Sequence, residues 1–237
     1  IINNSNYGLY GHQRYQYCYL TNSLISGNGA GLYFNNHVRF NMDNIIVENN
    51  NGTGIYAYQT YPFISNSIVR NNSNHGIYGD YWNPWTINTT LVYNNGGHGI
   101  SVYSNTNTTS TINNSTVYGN GDYGIAGLVN IKNTIVFNNS SSSLDGSVNV
   151  TYSNIDGGYS GTGNFDEDPQ FTNIDNEDFS LQSTSPCIDS GDPDSPLDPD
   201  GTHADIGAFY FNQNPPIPGC TDSYANNYNV EANVDDN

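Results

Sequence analysis

The stretch NIIVENNNGTGIY (residues 44–56) returns as NSIVRNNSNHGIY at residues 66–78. Each copy has a β-branched apolar residue, an Asn three positions later, and then a Gly followed by Ile and Tyr. The same Gly recurs every 22–25 residues, at Gly8, Gly31, Gly54, Gly76, Gly99 and Gly124. A fixed period of this kind predicts a stack of structurally equivalent units.

Two rows of Asn follow the same period. The first row precedes each Gly and comprises Asn4, Asn28, Asn50, Asn72, Asn95, Asn120 and Asn139. The second row comprises Asn22, Asn44, Asn66, Thr89, Asn114 and Asn133. Equivalent residues of stacked coils lie ~4.8 Å apart, so an Asn amide can bond to the Asn above and below it, and Asn also tolerates a left-handed turn. A row of Asp would repel itself, which explains the choice of Asn.

A period of about 23 residues predicts an all-β parallel β-helix with three short strands per coil. The period is too short for repeats of paired helices, and the multiple Leu of leucine-rich repeats are missing. The apolar residues are mostly β-branched or aromatic, which favours strands. Alternation along each strand then predicts three inner rows. They are Leu9, Leu32, Ile55, Ile77, Ile100 and Ile125; Leu20, Met42, Ile64, Ile87, Ile112 and Ile131; and Cys18, Phe40, Pro62, Trp85, Ser110 and Val129.

With these Gly and Asn rows, residues 1–155 resemble the right-handed parallel β-helix repeat proteins, which are similar in fold to pectate lyases. The matching residues are structural. The resemblance therefore implies the right-handed fold, and an activity has to be argued from a site.

Charge is sparse and unevenly distributed. The chain has 4 Lys and Arg against 22 Asp and Glu, a net charge of -18. Residues 1–150 hold all the bases, whereas residues 151–237 hold seventeen acids and no base. Nucleic acids and anionic membranes are bound by clustered Lys and Arg, so neither is an expected partner. A run of about 18 apolar residues is missing, so direct membrane insertion is not expected.

Residues 156–211 resemble an acidic segment that commonly follows such repeats in secreted bacterial proteins. The matching stretches include Asp168-Pro169-Gln170-Phe171 and Asp205-Ile206-Gly207-Ala208-Phe209. The resemblance implies a C-terminal cap on the last coils, and solenoids need such a cover over the end of their core. Its expected apolar anchors are Phe165, Phe171, Phe179, Ile188, Ile206 and Phe209.

The last residues are predicted to be a linker and a further module. Residues 212–218 are rich in Pro and are typical of a linker. Residues 219–237 begin Gly219-Cys220-Thr221-Asp222 and resemble a short acidic module of surface proteins, in which a Cys follows a paired Asp. The chain opens in mid-pattern and ends before that Cys. We therefore expect a fragment of a longer protein, with the partner of Cys220 outside it.

Lyase chemistry has one candidate cluster, formed by Arg39, Asp43 and Tyr61. Elimination from a uronate needs a base and a cation that neutralises the carboxylate. Alternation places Arg39 and Asp43 on one outer strand face, with Tyr61 on the next coil. A simple surface ion pair between Arg39 and Asp43 is the alternative. A pair of carboxylates spaced for glycoside hydrolysis does not emerge.

An outward row of aromatic residues is the second candidate site. Tyr follows the inner apolar residue in four consecutive coils, and flat aromatic faces beside amides and hydroxyls suit sugars. They also suit protein partners, and stacked Tyr can serve the sheet alone. The predicted carbohydrate-binding residues are Tyr10, Tyr33, Tyr56, Tyr78, Tyr58 and Trp82.

A cluster of Asp in the acidic segment indicates calcium. Ca²⁺ takes about 6–8 oxygen ligands, and Asp at alternate positions followed by Gly is a common loop style. The spacing is not that of an EF-hand, and a solvated acidic loop is the alternative. The predicted metal ligands are Asp192, Asp194, Asp198, Asp200 and Asp205.

Together these features predict an extracellular or cell-surface protein without catalytic activity. The expected role is a structural or adhesin-like element that binds a polysaccharide or surface glycan through its Tyr face. Two alternatives remain open. One is a polysaccharide lyase-like enzyme acting on acidic polysaccharide at Arg39. The other is self-association of the flat Asn-, Thr- and Tyr-rich faces into an extracellular filament or surface layer.

Overall fold

The computed structural model describes residues 1–12, 17–36, 39–80, 84–103, 109–215, 218–220, 222, 232 and 234–235. Its strands are β1 (Tyr7–His12), β2 (Tyr17–Ser26), β3 (Ala30–Asn35), β4 (Arg39–Glu48), β5 (Ile55–Tyr58), β6 (Tyr61–Ser65), β7 (Ile68–Arg70), β8 (Ile77–Asp80), β9 (Thr86–Asn88), β10 (Leu91–Tyr93), β11 (Ile100–Tyr103), β12 (Ser110–Asn113), β13 (Thr116–Tyr118), β14 (Ile125–Lys132), β15 (Ile135–Phe137), β16 (Leu144–Thr151), β17 (Asn154–Ile155), β18 (Phe171–Asn173), β19 (Asp178–Leu181), β20 (Pro218–Gly219) and β21 (Val234–Asp235). One short 3-10 helix spans Ile174–Asn176. Within the described part of the chain, no helix is long and apolar enough to span a membrane.

Strands β1–β17 form three parallel sheets that run the length of a solenoid, and β18 and β19 form a separate antiparallel pair. The first sheet stacks β1, β3, β5, β8, β11 and the start of β14 and β16. The second stacks the start of β2 and β4 on β6, β9, β12 and the rest of β14 and β16. The third stacks the end of β2 and β4 on β7, β10, β13, β15 and β17. The predicted parallel β-helix with three strands per coil is confirmed.

The inner rows are those that alternation predicted. Ile55, Ile77 and Ile100 are fully buried and pair in register between neighbouring coils. Met42 and Ile64 are equally buried in the second sheet. A continuous apolar core therefore runs through the stack, and burial of this surface is the main term that favours folding.

Two polar rows lie at the corners of each coil. Between the second and third sheets, the second Asn row adopts left-handed φ angles of 45–52°, and we name it the corner row (Asn22, Asn44, Asn66, Thr89, Asn114 and Asn133). After the third sheet, the first Asn row is mostly buried. Each side-chain nitrogen of this Asn ladder, from Asn4 to Asn120, donates to the next Asn oxygen at 2.8–3.0 Å.

The acidic segment lies along the outer face of the third sheet and is not confined to the end of the stack. Leu91, Tyr93 and Ile135 point outward there and pack on Phe171 and Phe179 of the segment. These outward side chains are apolar or aromatic, so their burial under the acidic segment removes them from water and stabilises the fold. Phe171, Phe179 and Ile206 are buried as expected, Phe165 and Ile188 are partly buried, and Phe209 is exposed, which corrects its predicted role as an anchor.

Most of the predicted surface-protein module falls outside the described residues. Its described part is the short parallel pair β20 and β21, which joins Pro218–Gly219 to Val234–Asp235. Cys18, Cys187 and Cys220 are all described and none forms a disulfide.

Candidate functional site

The Tyr ladder, formed by Tyr10, Tyr33, Tyr56 and Tyr78, stands on the outer face of the first sheet. Parallel pairing puts the four residues in register, as the sequence predicted. Successive ring centroids lie 5.3, 4.7 and 5.7 Å apart, with planes tilted by only 10–13°. The rings therefore stack on one another, and what they offer to solvent is mainly their edges and hydroxyl groups.

The ladder hydroxyls are strong candidates for hydrogen bonding. Burial, aided by the neighbouring Tyr33 and the Asp80 carboxylate, raises the pKa of Tyr56 to about 12. Burial also raises the pKa of Tyr78. Both phenols thus stay protonated at ordinary pH and keep a proton to donate. Tyr10, at the first coil, is 51% exposed, so the end of the ladder also offers ring surface.

The other predicted carbohydrate-binding residues flank this ladder or lie outside the described chain. Tyr58 pairs in register with Asp80, and Asp80 with Tyr103, so the three form a neighbouring row on the first sheet. Tyr103 is 47% exposed. Trp82 falls among residues that the structure does not describe.

Arg39 lies between two Tyr rings on the second sheet. Its guanidinium carbon is 5.7 Å from the ring centroid of Tyr17 and 5.0 Å from that of Tyr61. The arrangement follows from register, since Tyr17, Arg39 and Tyr61 pair across three coils. Stacking of this kind suits a guanidinium at an exposed position.

Asp43 belongs to a different contact group from Arg39 and Tyr61. It lies four residues further along β4, about 13 Å of extended strand. Its carboxylate accepts hydrogen bonds from Ser65 Oγ and Asn66 Nδ2, both at 2.7 Å. These bonds lower the pKa of Asp43. The structure thus brings Arg39 and Tyr61 together and leaves Asp43 apart from them.

Two further cations hold the acidic segment against the solenoid. Arg70 pairs with Glu48 at 2.7 Å and with Glu177 of the segment. Lys132 pairs with Asp192 at 2.9 Å, and its hydrogen bond lowers the pKa of that carboxyl. Both cations are therefore engaged in structural contacts.

The predicted calcium ligands mostly accept hydrogen bonds from their own loop. Asp205 is buried and accepts from the backbone N–H groups of Asp189 and Phe211. Asp200 accepts from Thr202 and Gln213, and Asp198 accepts from the N–H of Asp205. Across the described residues, no group of three or more His, Cys, Asp or Glu is arranged to hold a metal ion. Calcium binding by these Asp, with Asp192 and Asp194, stays a prediction.

Asp198 stands out electrostatically in this loop. Burial, together with the nearby Asp205 and Asp200 carboxylates, raises its pKa to about 6, although the N–H of Asp205 opposes the shift. Carboxyl groups with raised pKa values cluster at functional sites, although structural networks also produce them.

A family model for the right-handed β-helix region matches residues 1–140, which is more than half of the chain. This chain belongs to the right-handed β-helix family. A search of curated protein sequences found no match.

The solved structure of pectate lyase Pel9A is similar to this right-handed β-helix, with a TM-score of 0.65 and 19% sequence identity. The likeness covers 88% of this chain but 63% of the lyase chain, so this β-helix spans less than two thirds of that protein. At this identity the comparison shows the fold alone.

One candidate region of this right-handed β-helix escaped sequence reasoning. Where the acidic segment meets the corner row, Phe209 and Tyr210 are each 41% exposed beside a cleft of about 430 Å³. The sequence signal was the adjacent pair of aromatics after Ala208. The sequence analysis predicted Phe209 to be a buried anchor, because the repeat pattern does not show that this pair lies beside the corner row.

Proposed function

We propose that this β-helix is an extracellular structural or adhesin-like element that binds polysaccharide or surface glycan through its Tyr ladder, without catalysis. The observation that carries the proposal is the row of four stacked Tyr. It presents hydroxyl groups at the regular spacing of the coils, and burial raises the pKa of two of them, Tyr56 and Tyr78. A polymer of repeating sugars also presents its hydroxyl groups at regular intervals, so one rigid row can meet several sugars at once.

The ion pairing of two of the three described Lys and Arg side chains supports a role without catalysis. Elimination from a uronate needs cationic help at the carboxylate. Arg70 and Lys132 are paired with Glu177 and Asp192 of the acidic segment. A rod whose coils are joined by buried side-chain hydrogen bonds, as in the Asn ladder, also suits an element that stands in an extracellular environment.

Affinity electrophoresis through a panel of soluble polysaccharides tests the proposal. We expect one glycan to retard the protein, and the double variant Tyr33→Ala with Tyr56→Ala to bind about tenfold more weakly, since each lost hydroxyl hydrogen bond contributes roughly 0.5–1.5 kcal/mol. Tyr19→Ala is the matched control, because Tyr19 is 68% exposed on the second sheet. Unchanged retardation of a folded double variant would contradict the proposal.

A lyase-like enzyme is the second candidate, favoured by the exposed Arg39 between Tyr17 and Tyr61. Elimination leaves an unsaturated uronate, whose ultraviolet absorbance reports turnover directly. On this hypothesis pectin or alginate gives a rising signal that Arg39→Ala abolishes and Tyr10→Ala retains. A flat trace on every polyuronate would remove the lyase hypothesis and leave the binding proposal intact.

A further inference from the structure

A cleft runs between the corner row of the solenoid and the end of the acidic segment. One wall carries Asn44, Asn66 and Thr89, and the other carries Phe209 and Tyr210. Its volume is about 430 Å³, within the range of about 300–1,000 Å³ typical of small-molecule sites. The cleft does not involve the Tyr ladder, which stands on the first sheet.

A second depression of about 220 Å³ continues the cleft past Tyr210. The two share Thr89, Ala208 and Tyr210, so they form one elongated groove. The far end is lined by Asn114 and Asp198. An elongated groove suits an extended ligand rather than a compact one.

The two walls are held at a fixed distance by close backbone contacts. Gly207 has a φ of 121°, which residues with a side chain rarely adopt, and its N–H donates to the Asn133 carbonyl at 3.0 Å. The next residue, Ala208, donates its N–H to Thr116 Oγ1 at 3.0 Å. The groove is therefore built by the fold and does not depend on a mobile loop.

The polar groups on the solenoid wall are also held in position. Asn44 Nδ2 donates to Asn22 Oδ1 and Asn66 Nδ2 donates to Asp43 Oδ1, both at 2.7 Å. Both Asn have left-handed φ angles fixed by the corner. Side chains that are already ordered lose little entropy when a ligand binds.

The charge of the groove selects among ligands. Asp198 and Asp205 lie at one end, and the described lining contains no Lys or Arg, so anionic ligands are disfavoured. Both carboxylate oxygens of Asp205 already accept a backbone N–H, so they are less available to coordinate a cation. Exposed aromatic rings facing amides and hydroxyls match the apolar faces and hydroxyl groups of sugars.

We propose that this groove between Phe209–Tyr210 and the corner row binds a neutral oligosaccharide, with Asp198 accepting a sugar hydroxyl at its far end. The argument rests on the groove's own lining and stands whether or not the Tyr ladder binds glycan.

Titration of the whole chain, followed by amide chemical shifts, tests this site. The probes are cellohexaose, xylohexaose, mannohexaose and laminarihexaose, with trigalacturonate and spermidine as anionic and cationic comparators. We expect saturable shifts at Ala208 and Thr89 with one neutral probe. Phe209→Ala should weaken that binding about tenfold, in line with the loss of one aromatic contact.

The variants separate this site from the Tyr ladder. Tyr33→Ala should leave the titration unchanged, and Asp198→Asn should weaken binding while preserving the shape of the groove. If Phe209→Ala folds poorly, the positions of the amide shifts in the unaltered chain still show whether the probe binds in the groove. Shifts confined to the first sheet, preference for trigalacturonate or spermidine, or no saturable shift with any neutral probe would each overturn the proposal.

Discussion

Asn72 shows how single residues hold the coils in register. It is 1% exposed, and its side-chain nitrogen donates to Asn95 Oδ1 at 2.9 Å and to the Val47 carbonyl at 3.1 Å. Its oxygen accepts from the backbone N–H and the side-chain nitrogen of Asn50. One buried amide thus connects three consecutive coils.

We predict that Asn72→Ala destabilises the protein by about 3 kcal/mol. The change leaves the buried backbone N–H of Asn50 without a partner and removes the side-chain bonds to Asn50, Asn95 and the Val47 carbonyl. Leaving one buried group unpaired costs roughly 1–3 kcal/mol, and the lost bonds add to this. Urea unfolding followed by circular dichroism measures the change. Asn74→Ala, at an exposed position of the same turn, serves as the control. Equal destabilisation by both variants would contradict a special role for the ladder.

Asp198 gives a second prediction at this scale, on pH dependence. A folded-state pKa of about 6 means that the folded protein binds more protons than the unfolded chain between about pH 4 and 6. The free energy of unfolding should therefore fall as pH rises through this interval.

Thermal unfolding from pH 4 to 7 measures the effect of Asp198. Asp198→Asn should flatten the fall in Tm relative to the unaltered chain. Asp194→Asn removes the same charge from an exposed position and should leave the slope nearly unchanged. The same slope in all three proteins would show that general repulsion, and not Asp198, sets the pH dependence.

Residue-level prediction from the sequence worked where a row is both periodic and chemically distinctive. The Asn rows met both conditions. A third row, Ser67, Thr90, Ser115, Thr134 and Ser153, was missed. Four of its hydroxyls, those of Ser67, Ser115, Thr134 and Ser153, accept a backbone N–H from the preceding coil. Ser and Thr are common throughout this chain, so their periodicity did not stand out.

Among the elements, the third sheet and the strand pair β18–β19 depend on each other. Phe179 of β19 is 3% exposed, and its ring centroid lies 4.7 Å from that of Tyr93 and 5.4 Å from that of Tyr118. The strand pair β18–β19 covers the apolar side chains on the outer face of β10 and β13, which would otherwise be exposed to solvent.

We predict that Phe179→Ala loosens the acidic segment before the solenoid unfolds. Removing a buried Phe costs about 3–5 kcal/mol, and here the loss falls on the contact between segment and sheet. Limited proteolysis with thermolysin should release fragments from residues 156–211 at a urea concentration where residues 1–155 stay intact. Phe63→Ala, on an exposed outer position of β6, is the control. Cleavage of residues 156–211 and of residues 1–155 at the same urea concentration would contradict the prediction.

The sequence predicted the solenoid elements well because alternation within a strand fixes which side chains face the core. It placed the acidic segment on the last coils, whereas the segment reaches back to Arg70 through Glu177. That position depends on the outward residues Leu91 and Tyr93, and alternation places them on the outer face of the strand without showing what covers them. The groove at Phe209 is formed by the same packing of the acidic segment on the third sheet. It could not be predicted because the repeat pattern does not show where that segment packs.

For the whole molecule, the dominant feature is the uneven distribution of charge. Residues 1–150 are nearly neutral, and residues 151–237, which we name the acidic flank, carry most of the negative charge. The net charge is -18, and seventeen of the acids lie in residues 151–237. Repulsion within that flank destabilises the folded state, since the compact form holds the charges closer together.

We predict that added salt stabilises the folded protein. Raising NaCl from about 20 to about 200 mM shortens the screening length and should raise Tm by several degrees. The calcium prediction adds a further test, because CaCl₂ should then raise Tm more than MgCl₂ at equal concentration. An equal response to the two divalent salts would contradict specific calcium binding, and a fall in Tm with NaCl would contradict the repulsion argument.

The Asn ladder gives the molecule an order of assembly. Each of its side-chain bonds joins residues only 19–25 positions apart, and each donor lies on the earlier coil. A chain leaving the ribosome can therefore complete one coil as soon as the next emerges, with the finished coil serving as template. The bond between Arg70 and Glu177 joins residues 107 positions apart. Packing of the acidic flank on the solenoid is therefore the last step of folding.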